Sequence, residues 1–471
     1  MAEQEKSEIQ KLKDTLFYEQ KNGAKTYTAA QTKQADAYCE AYKSFLDEAK
    51  MEREAVAYAV RTAQTKGFVA FEKGKQYQPG DKVYTVNRGK AAIFAVFGTK
   101  PMAEGVRMTA AHIDSPRLDL KQSPLYEDND IALFKTHYYG GIKKYQWTTI
   151  PLALHGVLVK KDGTVLHVRI GEDAGDPLFC VTDLLPHLAK EQMKKPMTAF
   201  DAEKLNVIIG SRPFKDDKES DLVKLNILRL LNEKYGVTEA DFLSAELAMV
   251  PAFKAADIGF DRSLIGSYGH DDRVCAYTSF TALLDTDLPA YTSVCVLADK
   301  EEIGSEGSTG LQSAFLAYFI ADLAKPYGLD GRDVLTASKC LSADVNAAFD
   351  PTYPEVMEKK NASFINHGVV LSKFTGHGGK YDTNDASAEF TAEVIRLLDN
   401  NDIIWHMAEL GKVDEGGGGT VAKYIGDLNV DVIDVGVPVL SMHAPFELVS
   451  KIDVYETYKA FVAFFKADAQ A

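Results

Sequence analysis

The sequence predicts an α/β fold in three layers, with helices on both faces of a largely parallel or mixed sheet and a mainly β domain inserted into it. Three observations lead there. Apolar runs alternate with stretches of helical period from about residue 253 onward. Between about Gln122 and Ala252 the texture changes to short strand-like pieces. And 471 residues exceed what one hydrophobic core usually serves. The expected division is residues 1–121 and 253–471 for the first and second parts of one domain, and 122–252 for the insert.

From Ala35 to Thr65 apolar residues recur at helical spacing through Tyr38, Tyr42, Phe45, Leu46, Val56, Ala59 and Ala63, giving one long helix or two, stopped by Gly67. Lys82–Val86 and Ala91–Phe97, joined through Asn87, Arg88 and Gly89, read as a hairpin. Val106–Ala111 is a strand ending at His112. The insert supplies strands over Leu152–Val159, Val165–Ile170 and Val207–Ile209 and a polar stretch over Lys215–Asp221. Beyond it come the strand Ser293–Ala298 and helix Leu311–Ala324, a strand over Val334–Ser342, the strand Val369–Phe374 and helix Ala386–Asn400, and the strand Val430–Leu440 and helix Val454–Lys466. The glycine run Gly416–Gly419 is a loop preceding a helix.

Composition excludes several classes. With 53 Lys+Arg against 68 Asp+Glu the net charge is −15, which repels nucleic acid phosphates and anionic lipid. Cys39, Cys180, Cys275, Cys295 and Cys340 are odd in number, widely spaced and without CxxC spacing, so reduced thiols and a cytoplasmic location are expected. Met1–Thr15 is polar and charged rather than signal-like, and no run approaches a membrane span.

In α/β folds ligands gather beyond the carboxyl ends of strands. His112 and Asp114 follow one predicted strand, Glu301 and Glu302 another, Asp344 a third and His443 a fourth. Singly, each has a commoner reading as a core histidine, a helix cap or a solvated turn. Jointly, His112, Asp271, Glu302, Asp344 and His443 supply what a pair of zinc ions needs: one His and one carboxylate for each metal, and one Asp shared between them. Glu301 is then placed as general base, and Asp114 as the partner that fixes the tautomer of His112.

The motifs Met108-Thr109-Ala110-Ala111-His112-Ile113-Asp114-Ser115-Pro116, Gly269-His270-Asp271-Asp272-Arg273, Asp299-Lys300-Glu301-Glu302-Ile303-Gly304-Ser305, Leu341-Ser342-Ala343-Asp344 and Leu440-Ser441-Met442-His443 occur in that order. Their succession resembles that of the aspartyl aminopeptidase and aminopeptidase I family of zinc metallopeptidases. The resemblance, which runs from about Val106 to Glu447, implies a catalytic domain of the zinc-peptidase type with an inserted dimerisation domain. It implies removal of N-terminal residues from peptides by a hydroxide bridging two zinc ions per subunit, with Glu301 as base. The same ligands accept cobalt or manganese. Asp271 matches the bridging position, and Asp272 beside it stands as the alternative.

The resemblance also implies a tetrahedral homododecamer built from dimers, in which His187, set in Leu185-Pro186-His187-Leu188, reaches a neighbour's active site to touch substrate and transition state. Lys373 and Thr420 lie where relatives form the substrate site. Lys373 could draw in an acidic N-terminal side chain or be an ordinary strand-end lysine. Two other readings are a related two-zinc carboxypeptidase or deacylase, and a non-catalytic shell protein with a vestigial site. Against the last, all five ligand candidates and Glu301 are present.

Overall fold

The computed structural model describes residues 7–194, 200–215 and 219–468. Its centre is a nine-stranded sheet whose order across the sheet is Val69–Ala70, Lys82–Asn87, Ala91–Val96, Ser293–Ala298, Arg107–His112, Lys339–Ser342, Asp431–Gly436, Val369–Ser372 and Trp405–Met407. The four middle strands from Ser293–Ala298 to Asp431–Gly436 run parallel, while the hairpin on one side and Val369–Ser372 on the other pair antiparallel. Every residue of Ala91–Val96, Arg107–His112 and Ser293–Ala298 is buried, as strands covered on both faces must be.

Alternation along these strands builds two cores. Phe94, Cys295 and Leu297 face a cluster formed with the helices Ala29–Glu48, Glu52–Thr65, His270–Leu284, Ala388–Asn400 and Lys451–Lys466. Ile93, Ala95, Val294 and Val296 face the opposite cluster, with the helices Phe315–Ala324, Gly331–Thr336 and Ala422–Gly426. The result is the three-layer α/β/α arrangement.

The Ala35–Thr65 stretch is two helices. The first begins earlier, where Thr28 and Gln31 form a capping box, and the second begins where the Glu54 carboxylate accepts the main-chain N–H groups of Lys50 and Met51. The hairpin turns through Arg88 and Gly89, both at positive φ, the geometry that matches strand twist.

Two expectations fail. Val334–Ser342 is the end of helix Gly331–Thr336 followed by the shorter strand Lys339–Ser342, because Ser338 caps the turn by bonding the Val334 carbonyl. Val430–Leu440 is not one strand: it breaks at Val437 into Asp431–Gly436 in the large sheet and Pro438–Leu440 in a separate five-stranded sheet. At the break Gly436 passes so close to Asp344 that a Cβ would sit 1.7 Å from its carbonyl oxygen, and Pro438 has no N–H to continue the first ladder.

The third sheet has seven antiparallel strands drawn from Arg117 to Pro251, with its own core around Leu118, Phe134, Trp147, Leu154 and Phe242. The expected division between residues 121 and 122 falls inside the strand Arg117–Asp128, and a helix, Leu222–Tyr235, packs on this sheet as well. Of the polar stretch Lys215–Asp221, residues 216–218 lie outside the described residues, as do residues 1–6 of the polar N-terminus. Sheet and central domain are joined by a buried charged cluster. Glu172 receives Lys50 at 2.7 Å, Lys254 at 2.7 Å and His155 Nε2 at 3.0 Å, while His155 Nδ1 lies 2.7 Å from Glu54.

Candidate metal centre

The middle parallel strands end together, and their ends carry the polar residues. His112 closes its strand; Glu301 and Glu302 occupy a single 3-10 turn after Ser293–Ala298; Asp344 follows Lys339–Ser342. His443 arrives from the small sheet, in the turn after Pro438–Leu440. Asp271 comes from the entry to helix His270–Leu284, where Asp271 and Asp272, joined by a cis peptide bond, depart from helical φ/ψ. Gly269 precedes them at φ +76°, and a Cβ there would lie 1.5 Å from the Arg273 guanidinium. Arg273 does not pair with the two aspartates: it donates to the main-chain oxygens of Lys50, Tyr268 and Gly269, fixing the turn that presents them.

All five ligand candidates converge. Asp271 Oδ1 lies 3.1 Å from Nε2 of His112, and its other oxygen 3.2 Å from Nε2 of His443. Glu302 Oε2 is 3.5 Å from His443 Nε2, and Asp344 Oδ1 is 3.9 Å from His112 Nε2. Glu301 Oε2 faces the same His112 nitrogen at 3.7 Å. Donor atoms of His112, Asp271 and Glu302 lie within 4.8 Å of one another, as do those of His112, Asp272 and Asp344. Asp272 is thus part of the cluster, with Oδ2 accepting the His112 main-chain N–H at 3.3 Å.

The imidazoles are oriented from behind. Asp114 Oδ1 lies 3.2 Å from His112 Nδ1, and the same carboxylate accepts the main-chain N–H groups of Glu301 and Glu302, so one side chain registers three site residues. His443 Nδ1 donates to the Gly141 carbonyl at 2.8 Å, leaving Nε2 to face the cluster.

Electrostatics favour a cation. Five carboxylates crowd two histidines in a buried space, and Asp272 Oδ1 and Glu302 Oε1 are buried without a hydrogen-bond partner. Burial, and then the charge of Asp271, pushes the Glu302 carboxyl well above its ordinary range; burial and Asp272 do the same to Asp344, and burial lifts Glu301 to about 7. Burial opposes charging His112, yet its hydrogen bonds to Asp114 and Asp271 hold its pKa well above the ordinary value. Divalent cations among these oxygens and nitrogens relieve the repulsion, and the donor set of two imidazoles with carboxylates suits zinc.

The outlying expectations sit differently. His187 is exposed on a turn whose neighbours Leu184, Leu185 and Leu188 are also exposed, and it makes no contact with the cluster within the single chain. Lys373 is half-buried just past Val369–Ser372. Thr420 is buried, its hydroxyl donating to Asp434.

Two residues escaped the sequence reading. Glu447 accepts the main-chain N–H of His443 at 2.7 Å with one oxygen and that of Asp271 at 3.1 Å with the other. Tyr139 donates to Asp114 at 2.7 Å. Glu447 lies four residues beyond His443, the one sequence signal that could have drawn attention to it; Tyr139, in Tyr138-Tyr139-Gly140-Gly141, carries none.

Residues 45–465 match the family model described as aminopeptidase I zinc metalloprotease. A Clostridium acetobutylicum protein described as a probable aminopeptidase of this family is 50% identical over 458 residues, 95% of this chain and 98% of its own length. The crystal structure of a Thermotoga maritima family aminopeptidase superposes with TM-score 0.92 at 45% identity, covering 96% of this chain and all of that one. That of C. acetobutylicum aminopeptidase I gives 0.90 at 48%, with 96% and 100% covered. A more distant S. cerevisiae relative, 22% identical with TM-score 0.74 over 92% of this chain and 97% of that one, was solved as a dodecamer.

Proposed function

The chain belongs to the aminopeptidase I zinc metalloprotease family and is a zinc metalloaminopeptidase; from that premise we propose which of its residues do the chemistry. His112, Asp271, Glu302, Asp344 and His443 would hold two zinc ions, with Asp271 rather than Asp272 between them. The observation that carries this reading is that the two oxygens of Asp271 address two different histidines, at 3.1 and 3.2 Å. When bound, such a pair polarises the scissile carbonyl and lowers the pKa of the attacking water toward ~7.

Glu301 takes the proton of that water on its carboxylate and returns it to the departing amine. Supporting this, Glu301 faces the cluster beside His112, 3.7 Å from its Nε2, and burial lifts its pKa to about 7. Asp114 keeps Nδ1 of His112 engaged so that Nε2 is presented for ligation.

Lys373 and Thr420 are assigned to the wall that receives the N-terminal residue of a peptide, with Thr420 anchored through Asp434. His187 is assigned to the active site of a neighbouring copy, where it would donate to the developing oxyanion. The exposed leucines around it are what a surface covered by a partner presents, and the yeast relative solved as a dodecamer supplies a precedent for twelve subunits; the tetrahedral arrangement, with segment 122–252 forming the dimer contact, is our reading. Among the described residues no helix is long and apolar enough to cross a membrane. All five cysteines are free, and the reducing cytoplasm is the location we propose for them.

Elemental analysis of the purified protein beside turnover of an aminoacyl amide and its N-acylated counterpart tests the reading. Two zinc ions per chain and cleavage of the free-amine substrate alone are expected. One ion per chain overturns the shared Asp271, and cleavage of the blocked amide overturns the requirement for a free N-terminus.

A further inference from the structure

Beside the proposed metal ligand Asp344 lies a small cavity of about 10 Å³, room for one occupant the size of a water molecule. Its walls include Asp344 itself with Asn346, Ser372, Thr375, Thr420 and Asp434, and no lysine, arginine or histidine lines it. Asp434 and Asn346 are each 3% exposed.

The hydrogen bonds around this cavity leave it lined with acceptors. Ser342 and Thr420 both donate to Oδ1 of Asp434, each at 2.8 Å, and Oδ2 has no hydrogen-bond partner among the described residues. Ser372 gives its proton to the Ala408 carbonyl at 2.9 Å, so it can only accept from Asn346, whose Nδ2 approaches at 3.1 Å. That fixes the orientation of the Asn346 amide and leaves its Oδ1 as a second acceptor without a donor. A buried carboxylate without a countercharge and a buried amide oxygen without a donor both cost free energy, and one cation relieves both.

We propose that Asp434 and Asn346 form a monovalent cation site, separate from the zinc centre and adjoining Asp344. The donors are hard oxygens with a single negative charge and no imidazole or thiolate, which disfavours zinc and suits an alkali ion. The cavity admits one bare ion no larger than a water molecule, radius about 1.4 Å, a size potassium meets. Such an ion ties the strand carrying Asp434 to the segment that follows Asp344, so it stabilises the folded protein. The site does not depend on the zinc reading, because none of its oxygens belongs to the five proposed ligand carboxylates and imidazoles.

The zinc-loaded protein is to be melted in potassium, sodium and tetramethylammonium chloride at one ionic strength. The site requires a midpoint a few degrees higher in potassium than in tetramethylammonium. It also requires that the difference vanish in Asp434→Asn, whose amide is uncharged and can donate to Asn346. Equal midpoints in potassium and tetramethylammonium overturn the proposal, as does a potassium effect that survives in the variant. Should that variant not fold, crystals of the unaltered zinc-loaded protein soaked in rubidium give a second reading. An anomalous peak between Asp434 and Asn346 supports the site, whereas a water molecule or a direct carboxylic acid to amide hydrogen bond in its place overturns it.

Discussion

Glu447 accepts the main-chain N–H of His443 at 2.7 Å. His443 is held at φ +64°, a conformation uncommon outside glycine, and this contact is one of the restraints that keep it there. Because the other oxygen of the same carboxylate accepts the Asp271 N–H, Glu447 sets the spacing of two proposed ligands 172 residues apart in sequence (443 − 271). Glu447→Gln replaces one acceptor by a donor facing an N–H group. Zinc affinity is expected to fall about 10- to 100-fold. Competition with a chelator measures it, and unchanged zinc retention would remove Glu447 from the support of the site.

Glu301→Gln keeps size and shape while abolishing the base. The variant is expected to bind zinc as the parent does and to lose about 10²- to 10⁴-fold in kcat, with little change in KM. Steady-state kinetics on zinc-saturated protein check this; a parental rate assigns proton transfer to another group.

His443→Ala removes a proposed ligand from the part of the cluster that Glu302 and Asp271 share. Zinc content is expected to drop by about one ion per chain under mild chelation, with activity falling alongside it. Full occupancy in that variant would place His443 outside the coordination sphere.

The cluster around Glu172 predicts how stability depends on pH. Burial opposes the charge on Glu172, but the hydrogen bond from His155 and the charge of Lys50 hold its pKa down to about 2, below the usual 4.5. A carboxyl with a depressed folded-state pKa contributes stability that is complete above its unfolded value and is lost as pH falls through the folded one. Glu172→Gln, which leaves Lys50 buried without its partner, is expected to cost about 3–5 kcal/mol at neutral pH. The gap between parent and variant should shrink as pH falls from 4.5 toward 2. Denaturant melts of the zinc-free proteins across that range measure it, and a gap independent of pH contradicts the assignment.

The proposed trans-acting role of His187 gives a concentration test. The zinc-loaded enzyme, diluted until sedimentation shows single chains, is expected to lose activity, and His187→Ala is expected to lower kcat in the intact assembly by about 10- to 1000-fold. Full activity in either case excludes the role.

The sequence made legible those features governed by local periodicity. The hairpin over Lys82–Val96 followed from alternating and apolar runs separated by Asn87, Arg88 and Gly89, and His112 fell at a strand end because Val106–Ala111 had the length and apolar character of a buried strand. Its ligand candidates came together because each follows an element whose end was visible, with Asp271 the exception, recovered from motif order. What stayed hidden depends on chain packing. The break after Gly436 is imposed by the Asp344 carbonyl, far away in sequence. Glu447 looks like any acidic loop residue until the main-chain N–H groups of His443 and Asp271 are seen converging on it.

The order in which the chain delivers its proposed ligands has a structural corollary. The first, His112, and the last, His443, are separated by most of the polypeptide, and the turn bearing the last lies just before Glu447–Ser450, which pairs with Leu264–Ser267. Weakening that ladder is therefore expected to displace His443 while leaving His112 on its buried strand.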